Sequence, residues 1–248
     1  MKAMILAAGL GTRLRPLTDD RPKALVKING RTLLEITLER LATFGIREVI
    51  INVHHFADMI VDYLKTHQNF GMEVEISREE VLLDTGGGMK KAAWFFLQDR
   101  HSMDQPFVLH NVDVLSSIDL GLMLRSHQKS GALATLAVMK RESSRQLLFD
   151  GAMHLCGRRN RSSQGDNIVR NSPALEPLAF SGVHVISPRL LGMIQRDGVF
   201  SIIETYLQLA GQGENIAAFR ADEYYWRDLG KLDQVEQATL DYQRKAFS

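Results

Sequence analysis

Residues 2–25 read Lys2-Ala3-Met4-Ile5-Leu6-Ala7-Ala8-Gly9-Leu10-Gly11-Thr12-Arg13-Leu14-Arg15-Pro16-Leu17-Thr18-Asp19-Asp20-Arg21-Pro22-Lys23-Ala24-Leu25. The short apolar run 2–8 ends in glycine, which predicts a strand buried on both faces. Residues 9–30 then carry Gly9, Gly11, Pro16, Pro22, Asn29 and Gly30, the punctuation of a long loop. A loop of this length inside a compact domain is usually functional. From 32 to 44, Leu33, Leu34, Ile36, Leu38, Leu41 and Phe44 recur at helical spacing, and Gly45 stands where a C′ glycine ends a helix.

The alternation continues outward from that unit. Strands are expected at 47–53, 72–77, 106–110 and 132–138. Between them come helices at about 56–66 and 119–129, and one opened by Gly86-Gly87-Gly88 that carries Ala92, Ala93, Phe95, Phe96 and Leu97. Strand–helix alternation of this kind predicts an α/β fold, a Rossmann-like, mostly parallel sheet with helices on both faces in three layers. Ligands in such sheets bind outside the carboxyl ends of the strands. Gly9, Asn111 and Asp113 fall at such ends. The second part is less regular. Two short strands around the turn Asp150-Gly151 are expected within 146–158, then a polar loop over 157–177. A strand over 178–187, interrupted by Ser181-Gly182, precedes helices at 188–196 and 201–210, a strand at 215–220 and a helix at 231–244. No repeat, low-complexity tract or linker divides the chain, so residues 1–248 read as one domain.

Composition narrows the function classes. The chain has 248 residues, 45% hydrophobic and 24% charged, ordinary values for a globular protein. Thirty Lys and Arg stand against 29 Asp and Glu. A nucleic-acid binder shows a basic excess that is missing here. One cysteine, Cys156, permits neither an intrachain disulfide nor a cysteine zinc cluster. The N-terminal apolar run is too short for a signal peptide, and no apolar stretch approaches 18 residues. The expectation is a cytoplasmic protein that meets neither membrane nor nucleic acid, as monomer or homodimer.

Three glycine-loop templates compete for residues 9–25. A Walker loop needs Lys followed by Ser or Thr after its second glycine, and this is absent. A dinucleotide fingerprint needs a third glycine where Leu14 stands, and an acidic residue about 20 positions on at a strand end. Glu35 has the distance but falls in the predicted helix. What remains is Gly9-x-Gly11-Thr12-Arg13 with Pro22-Lys23 following. Glycines let backbone N–H groups close on phosphate oxygens, Arg13 adds a planar fork, and Lys23 adds a mobile point charge. Two cations and backbone dipoles suit a triphosphate.

The string Leu6 to Thr18, followed by Pro22 to Leu25, resembles the signature of the sugar-1-phosphate nucleotidyltransferases. The resemblance runs over most of the chain. It is closest to the short bacterial branch that includes N-acetylmuramate-1-phosphate uridylyltransferases and heptose-1-phosphate guanylyltransferases. It implies the nucleotide-diphospho-sugar transferase fold, with a nucleotide-binding half over 1–140 and a smaller sugar-binding half over 141–248. It implies nucleotide contacts from Leu6, Ala8, Gly9, Gly11, Thr12, Arg13, Lys23, Thr85, Gly86, Gly87 and Asn111. Sugar contacts are implied from Asn111, Arg145, Ser181 and Gly182. Asn111-Val112-Asp113-Val114 and Trp226-Arg227-Asp228-Leu229-Gly230 match the segments bearing two metal aspartates, Asp113 and Asp228, which would hold Mg²⁺. Many relatives have glycine where Val112 stands; valine fits if that backbone is extended.

The implied chemistry is attack by the phosphate oxygen of a sugar 1-phosphate on the α-phosphorus of a nucleoside triphosphate, with pyrophosphate leaving. That phosphate is already largely ionised at neutral pH, so no general base is needed, and Arg13, Lys23 and Asp113 carry the catalytic roles. Uridylyl transfer to an amino sugar 1-phosphate such as N-acetylmuramate 1-phosphate ranks first. Guanylyl or cytidylyl transfer, and a silent sugar-nucleotide-binding regulator, are the alternatives. A Rossmann oxidoreductase is disfavoured by the missing third glycine. His54, His55 and His110 have no further ligands in sequence to make a metal site. Asn52 either touches the base or caps a strand. Arg158, Arg159 and Arg161 form a charge run, either a solvated loop or a lid over an anionic sugar phosphate. Trp94, Phe95 and Phe96 read as core.

Overall fold

The computed structural model describes residues 1–98, 104–160 and 165–243. Its centre is a parallel unit of four strands. β1 (Lys2–Leu6) lies between β4 (Glu48–Val53) and β6 (Phe107–Asn111), and β5 (Glu73–Arg78) lies outside β4. Successive side chains alternate between two cores. Ala3, Ile5, Val49, Ile51 and Val108 enter one apolar cluster, while Met4, Ile50 and Leu109 enter the other. Burial on both faces is why these strands read as continuous apolar runs.

The helices bear out the alternation. α1 (Leu33–Thr43) starts with a capping box: the Thr32 hydroxyl accepts from Glu35 N at 3.1 Å and the Glu35 carboxylate accepts from Thr32 N at 3.4 Å. It ends before Gly45, whose φ is 75°. α2 (Ala57–Thr66) and α5 (Leu120–Ser130) fall close to their expected spans. The chain order β1, β4, β5 runs to one side of β1, and β6 returns on the other. The sheet's switch point therefore lies between the carboxyl ends of β1 and β6, where a crevice opens.

Several local expectations are corrected. The 9–30 loop is partly ordered: single 3-10 turns span Thr12–Leu14 and Lys23–Leu25. A hairpin of β2 (Lys27–Ile28) and β3 (Arg31–Thr32) turns at Asn29-Gly30, both at positive φ. The glycine run lies inside α3 (Asp84–Lys91) rather than opening the following helix. The chain breaks at Ala92 before α4 (Ala93–Phe96). Phe95 and Phe96 are core, but Trp94 is 47% exposed. The expected helix at 188–196 is a 3-10 helix, Pro188–Met193.

β7 (Val114–Ser116) follows β6. The second half adds β8 (Ala134–Met139), the hairpin of β9 (Arg145–Phe149) and β10 (Leu155–Asn160), β11 (Asn167–Ile168) and β12 (Glu176–Ile186). α6 (Ile202–Gly211), β13 (Ile216–Arg220), β14 (Trp226–Asp228) and α7 (Leu232–Gln243) close the chain. β12 runs antiparallel to β6, β8 and β9, so the large sheet is mixed, parallel in its first half. β10 and β11 place strands inside the polar stretch expected to be a loop at 157–177, and Arg161 lies outside the described residues. Cys156 is buried and burial pushes its thiol up, which keeps it inert.

Buried histidines make the fold acid-sensitive, and His127 and His184 are two of the three among the described residues. His127 bridges Thr135 and Ser187, and burial lowers it from 6.5 to about 4. His184 bonds the Tyr206 hydroxyl at 2.8 Å, and burial with the neighbouring His110 lowers it to about 3. Unfolded, both gain a proton below about 6.5. Folded, they resist protonation down to the lower values. The unfolded chain thus binds more protons across this window, and stability falls as pH falls. Each contributes a slope of up to about 1.4 kcal/mol per pH unit. Urea unfolding at pH 7 and pH 4.5 checks this: the midpoint should drop at the lower pH, and by less in His127→Gln.

Candidate active site

The crevice at the switch point holds a cavity of about 360 Å³ lined by Leu6, Ala8, Gly9, Lys23, Thr85, Asn111 and Asp113, together with Glu79, Leu82 and Val199. Leu6 O accepts from Val112 N at 3.1 Å, locking the end of β6 to the end of β1. Val112 is buried and is not among the residues at positive φ, so its valine side chain fits an ordinary backbone there. A larger cavity of about 640 Å³ opens between α1, β7 and Tyr242. It takes in His110 but none of Arg13, Lys23, Asp113 and Asp228, so size alone does not mark the site.

Four charged groups predicted from the sequence meet at the mouth of the crevice. Lys23 is 8% exposed and its ammonium is ion-paired with Asp113. β14 pairs antiparallel with β7, setting Asp228 opposite Val114, and Leu229 N donates to Asp113 O at 2.8 Å. That ladder brings the two aspartates together across 115 residues of sequence. Burial raises the Asp228 carboxyl above the usual range; the Asp113 charge raises it further, while Lys23 and Arg13 pull it down. Arg13 reaches the same place. A methyl group on Gly230 would lie 3.0 Å from its Nη2 and 2.8 Å from Asp228 Oδ1, so glycine leaves the guanidinium room beside the carboxylate.

The loop is braced from within. Gly11 adopts φ 67°, and its carbonyl accepts from Leu14 N and the Thr18 hydroxyl. Leu14, where the dinucleotide template needs glycine, is fully buried and anchors the turn. Gly11, Thr12 and Arg13 do not line the cavity itself; Thr12 and Arg13 are exposed at its rim.

A second cavity of about 500 Å³ shares Asp84, Thr85 and Asn111 with the first and is otherwise lined from the second half: Arg145, Arg158, Phe180, His184 and the first turn of α6. Ser181 and Gly182, expected to face the sugar, lie behind this wall. Ser181 O accepts from Trp226 Nε1 at 2.7 Å, tying β12 to β14. Gly182 sits at φ 75° in an irregularity of β12, and a Cβ there would lie 2.7 Å from Val114 and 3.0 Å from the Asn111 amide. It is a close-approach glycine. Gly86 and Gly87 are likewise not at the cavity: their N–H groups donate to Phe200 O. Thr85 does line both cavities, and its hydroxyl accepts from Ile202 N.

The reading of residues missed Glu79. Its buried carboxylate accepts from the Asn52 amide at 2.7 Å and from Leu83 N at 2.9 Å, while Asn52 Oδ1 accepts from Ala7 N at 2.8 Å. This chain joins the ends of β1, β4 and β5 under the first cavity and makes Asn52 a brace, while Asn52 also lines that cavity. The one available signal was an acidic residue just past a predicted strand end. His54 bonds Glu79 O, and neither His54 nor His55 lines either of these two cavities.

A mixed sheet, a crevice at its switch point, two apposed carboxylates and two cations define a nucleotidyl-transfer fold. The chain belongs to the nucleotidyl transferase family, whose profile matches residues 2–148. It is 31% identical to the N-acetylmuramate alpha-1-phosphate uridylyltransferase of Caulobacter vibrioides, over 92% of this chain and 91% of that protein. It is 29% identical to the mannose-1-phosphate guanyltransferase of Yarrowia lipolytica, over 98% of this chain but only 64% of that longer protein. HddC from Yersinia pseudotuberculosis, complexed with GMP-PN, superposes with a TM-score of 0.76 at 22% identity, covering 97% of this chain and 99% of that one. That likeness speaks to the fold.

Proposed function

We propose that this enzyme transfers a nucleotidyl group from a nucleoside triphosphate to a sugar 1-phosphate, releasing pyrophosphate, with Mg²⁺ as cofactor. Uridylyl transfer to an amino sugar 1-phosphate such as N-acetylmuramate 1-phosphate is the preferred reaction. The carrying observation is the β7–β14 ladder that sets Asp228 beside Asp113, facing Lys23 and Arg13 at the switch point. The base preference rests on the uridylyltransferase relative, which matches this chain at nearly full length.

The donor set fits Mg²⁺. Magnesium is commonly held by one or two carboxylates plus substrate phosphates and water. A buried Asp228 carboxylate with the Asp113 charge close enough to raise it further favours a shared divalent cation. When bound, the ion neutralises charge on the phosphates and helps align them. The chain's own groups do the rest. Lys23 and Arg13 hold phosphate oxygens, and Lys23 exchanges its bond to Asp113 for one to substrate. Asn111, common to both cavities, stands where the donor and acceptor meet. Alignment and charge neutralisation suffice, because the attacking phosphate is already ionised.

The test is pyrophosphate release with Mg²⁺ across four nucleoside triphosphates and a panel of sugar 1-phosphates. Release is expected with UTP and an amino sugar 1-phosphate; none with any pair overturns the reading. Arg13→Lys should keep the charge and lose the two-pronged fork, lowering kcat/KM by roughly 10- to 100-fold. Steady-state kinetics read this directly, and unchanged kinetics would take Arg13 out of the transfer.

A further inference from the structure

The second cavity carries two cations that nucleotidyl transfer does not use. Arg145 is on β9 and Arg158 on β10. Their register sets Arg158 opposite Leu147 and Asn160 opposite Arg145, so the two arginines stand diagonally on one face of the hairpin. Arg159 alternates to the other face and pairs with Asp166. Among the described residues, Arg189, Arg196 and Arg220 of this half also have carboxylate partners. Arg145 and Arg158 have none, although both line the cavity. Of the acidic side chains that share it, Glu204 is paired with Arg196, and Asp84 accepts from the N–H of Thr85. The cavity thus presents two guanidinium forks that have no carboxylate partner among the described residues.

The reacting phosphate does not account for the pair. Lys23 and Asp113 line the first cavity, Arg145 and Arg158 only the second, and Asn111 stands between. We propose that the acceptor sugar carries a second anionic substituent, a carboxylate or phosphate away from C1, and that Arg145 and Arg158 bind it together. They are then specificity-determining residues. This rests on the transfer reading above. Two planar forks on one face suit a two-oxygen anion, and a neutral sugar would leave both cations unmatched inside the cavity.

Calorimetric binding with matched acceptors tests it without turnover. N-acetylmuramate 1-phosphate is compared with N-acetylglucosamine 1-phosphate, which lacks the carboxylate. Glucose 1,6-bisphosphate against glucose 1-phosphate does the same for a phosphate. The wild type should prefer the second anion in one pair by roughly 10- to 100-fold. The double variant Arg145→Gln, Arg158→Gln should bring that ratio toward one, with each single variant between. A ratio near one for both pairs in the wild type overturns the proposal. So does a ratio that survives the double substitution, including the case in which both members of a pair weaken by the same factor, since the arginines would then hold the shared 1-phosphate. Because the readout is a binding ratio, it stands apart from pyrophosphate release, whose absence would overturn the transfer reading instead.

Discussion

Asp113→Asn should lower kcat by about a thousandfold or more while the protein stays folded. The side chain keeps its shape and loses its charge. Two consequences for stability oppose one another. The Lys23 ammonium, nearly buried, exchanges a carboxylate partner for a neutral amide oxygen, which destabilises. The repulsion between Asp113 and Asp228 disappears, which stabilises. Both groups border an open crevice where water screens them, so the residue of these terms is small. The chemistry has no such compensation, because an amide cannot balance the charge of a phosphate-bound cation. Thermal unfolding beside pyrophosphate release checks the separation. Asp228→Asn should match it, and the double variant should cost little beyond either single change, since the pair acts as a unit. Turnover retained in Asp113→Asn would remove that residue from the transfer site.

The parts of this site that were legible in sequence share a physical property: they are local. The loop 9–25 carries its glycines, Arg13 and Lys23 within one short stretch. Asn111 ends, and Asp113 closely follows, a strand of five residues, Phe107 to Asn111. Buried strands and capped helices are equally local, and β1, β4 and α1 fall within a residue or two of expectation at most ends. Asp228 was different. No spacing joins it to Asp113; only the resemblance did, and the three-residue ladder of β7 and β14 is too short to leave a period in sequence. The same limit hid the Asn52–Glu79 brace, which depends on two strand ends meeting side by side. Gly86, Gly87 and Gly182 show the opposite error. Their reading as ligand contacts came from the resemblance, whereas in the structure another part of the chain passes each of them too close for a side chain. Glycine reports close approach without saying what approaches.

That close approach yields the second large effect. Gly87→Ala should destabilise the protein by about 1–3 kcal/mol, a fall in Tm of about 2–10 °C. Inside a helix the same change ordinarily stabilises by about 1 kcal/mol, because alanine is the better helix former. Here a Cβ would lie 2.2 Å from Gly198 O and 3.0 Å from Leu83 Cβ. The nearer atom is backbone, so no side chain can rotate away, and α3 must move from the 198–200 segment. Gly86 and Gly87 also donate their N–H groups to Phe200 O, and that movement would strain both bonds. Gly192→Ala, in a 3-10 helix with open space around it, is the matched control and should leave Tm unchanged or slightly raised. The functional consequence follows from geometry. α3 begins with Asp84 and Thr85, the two residues besides Asn111 that line both cavities. Displacing them should weaken nucleotide and acceptor together, raising both KM values in steady-state kinetics more than it lowers kcat. A Gly87→Ala protein with wild-type Tm and KM would mean that α3 can shift without loss, and that the glycine run is not what fixes the wall between donor and acceptor.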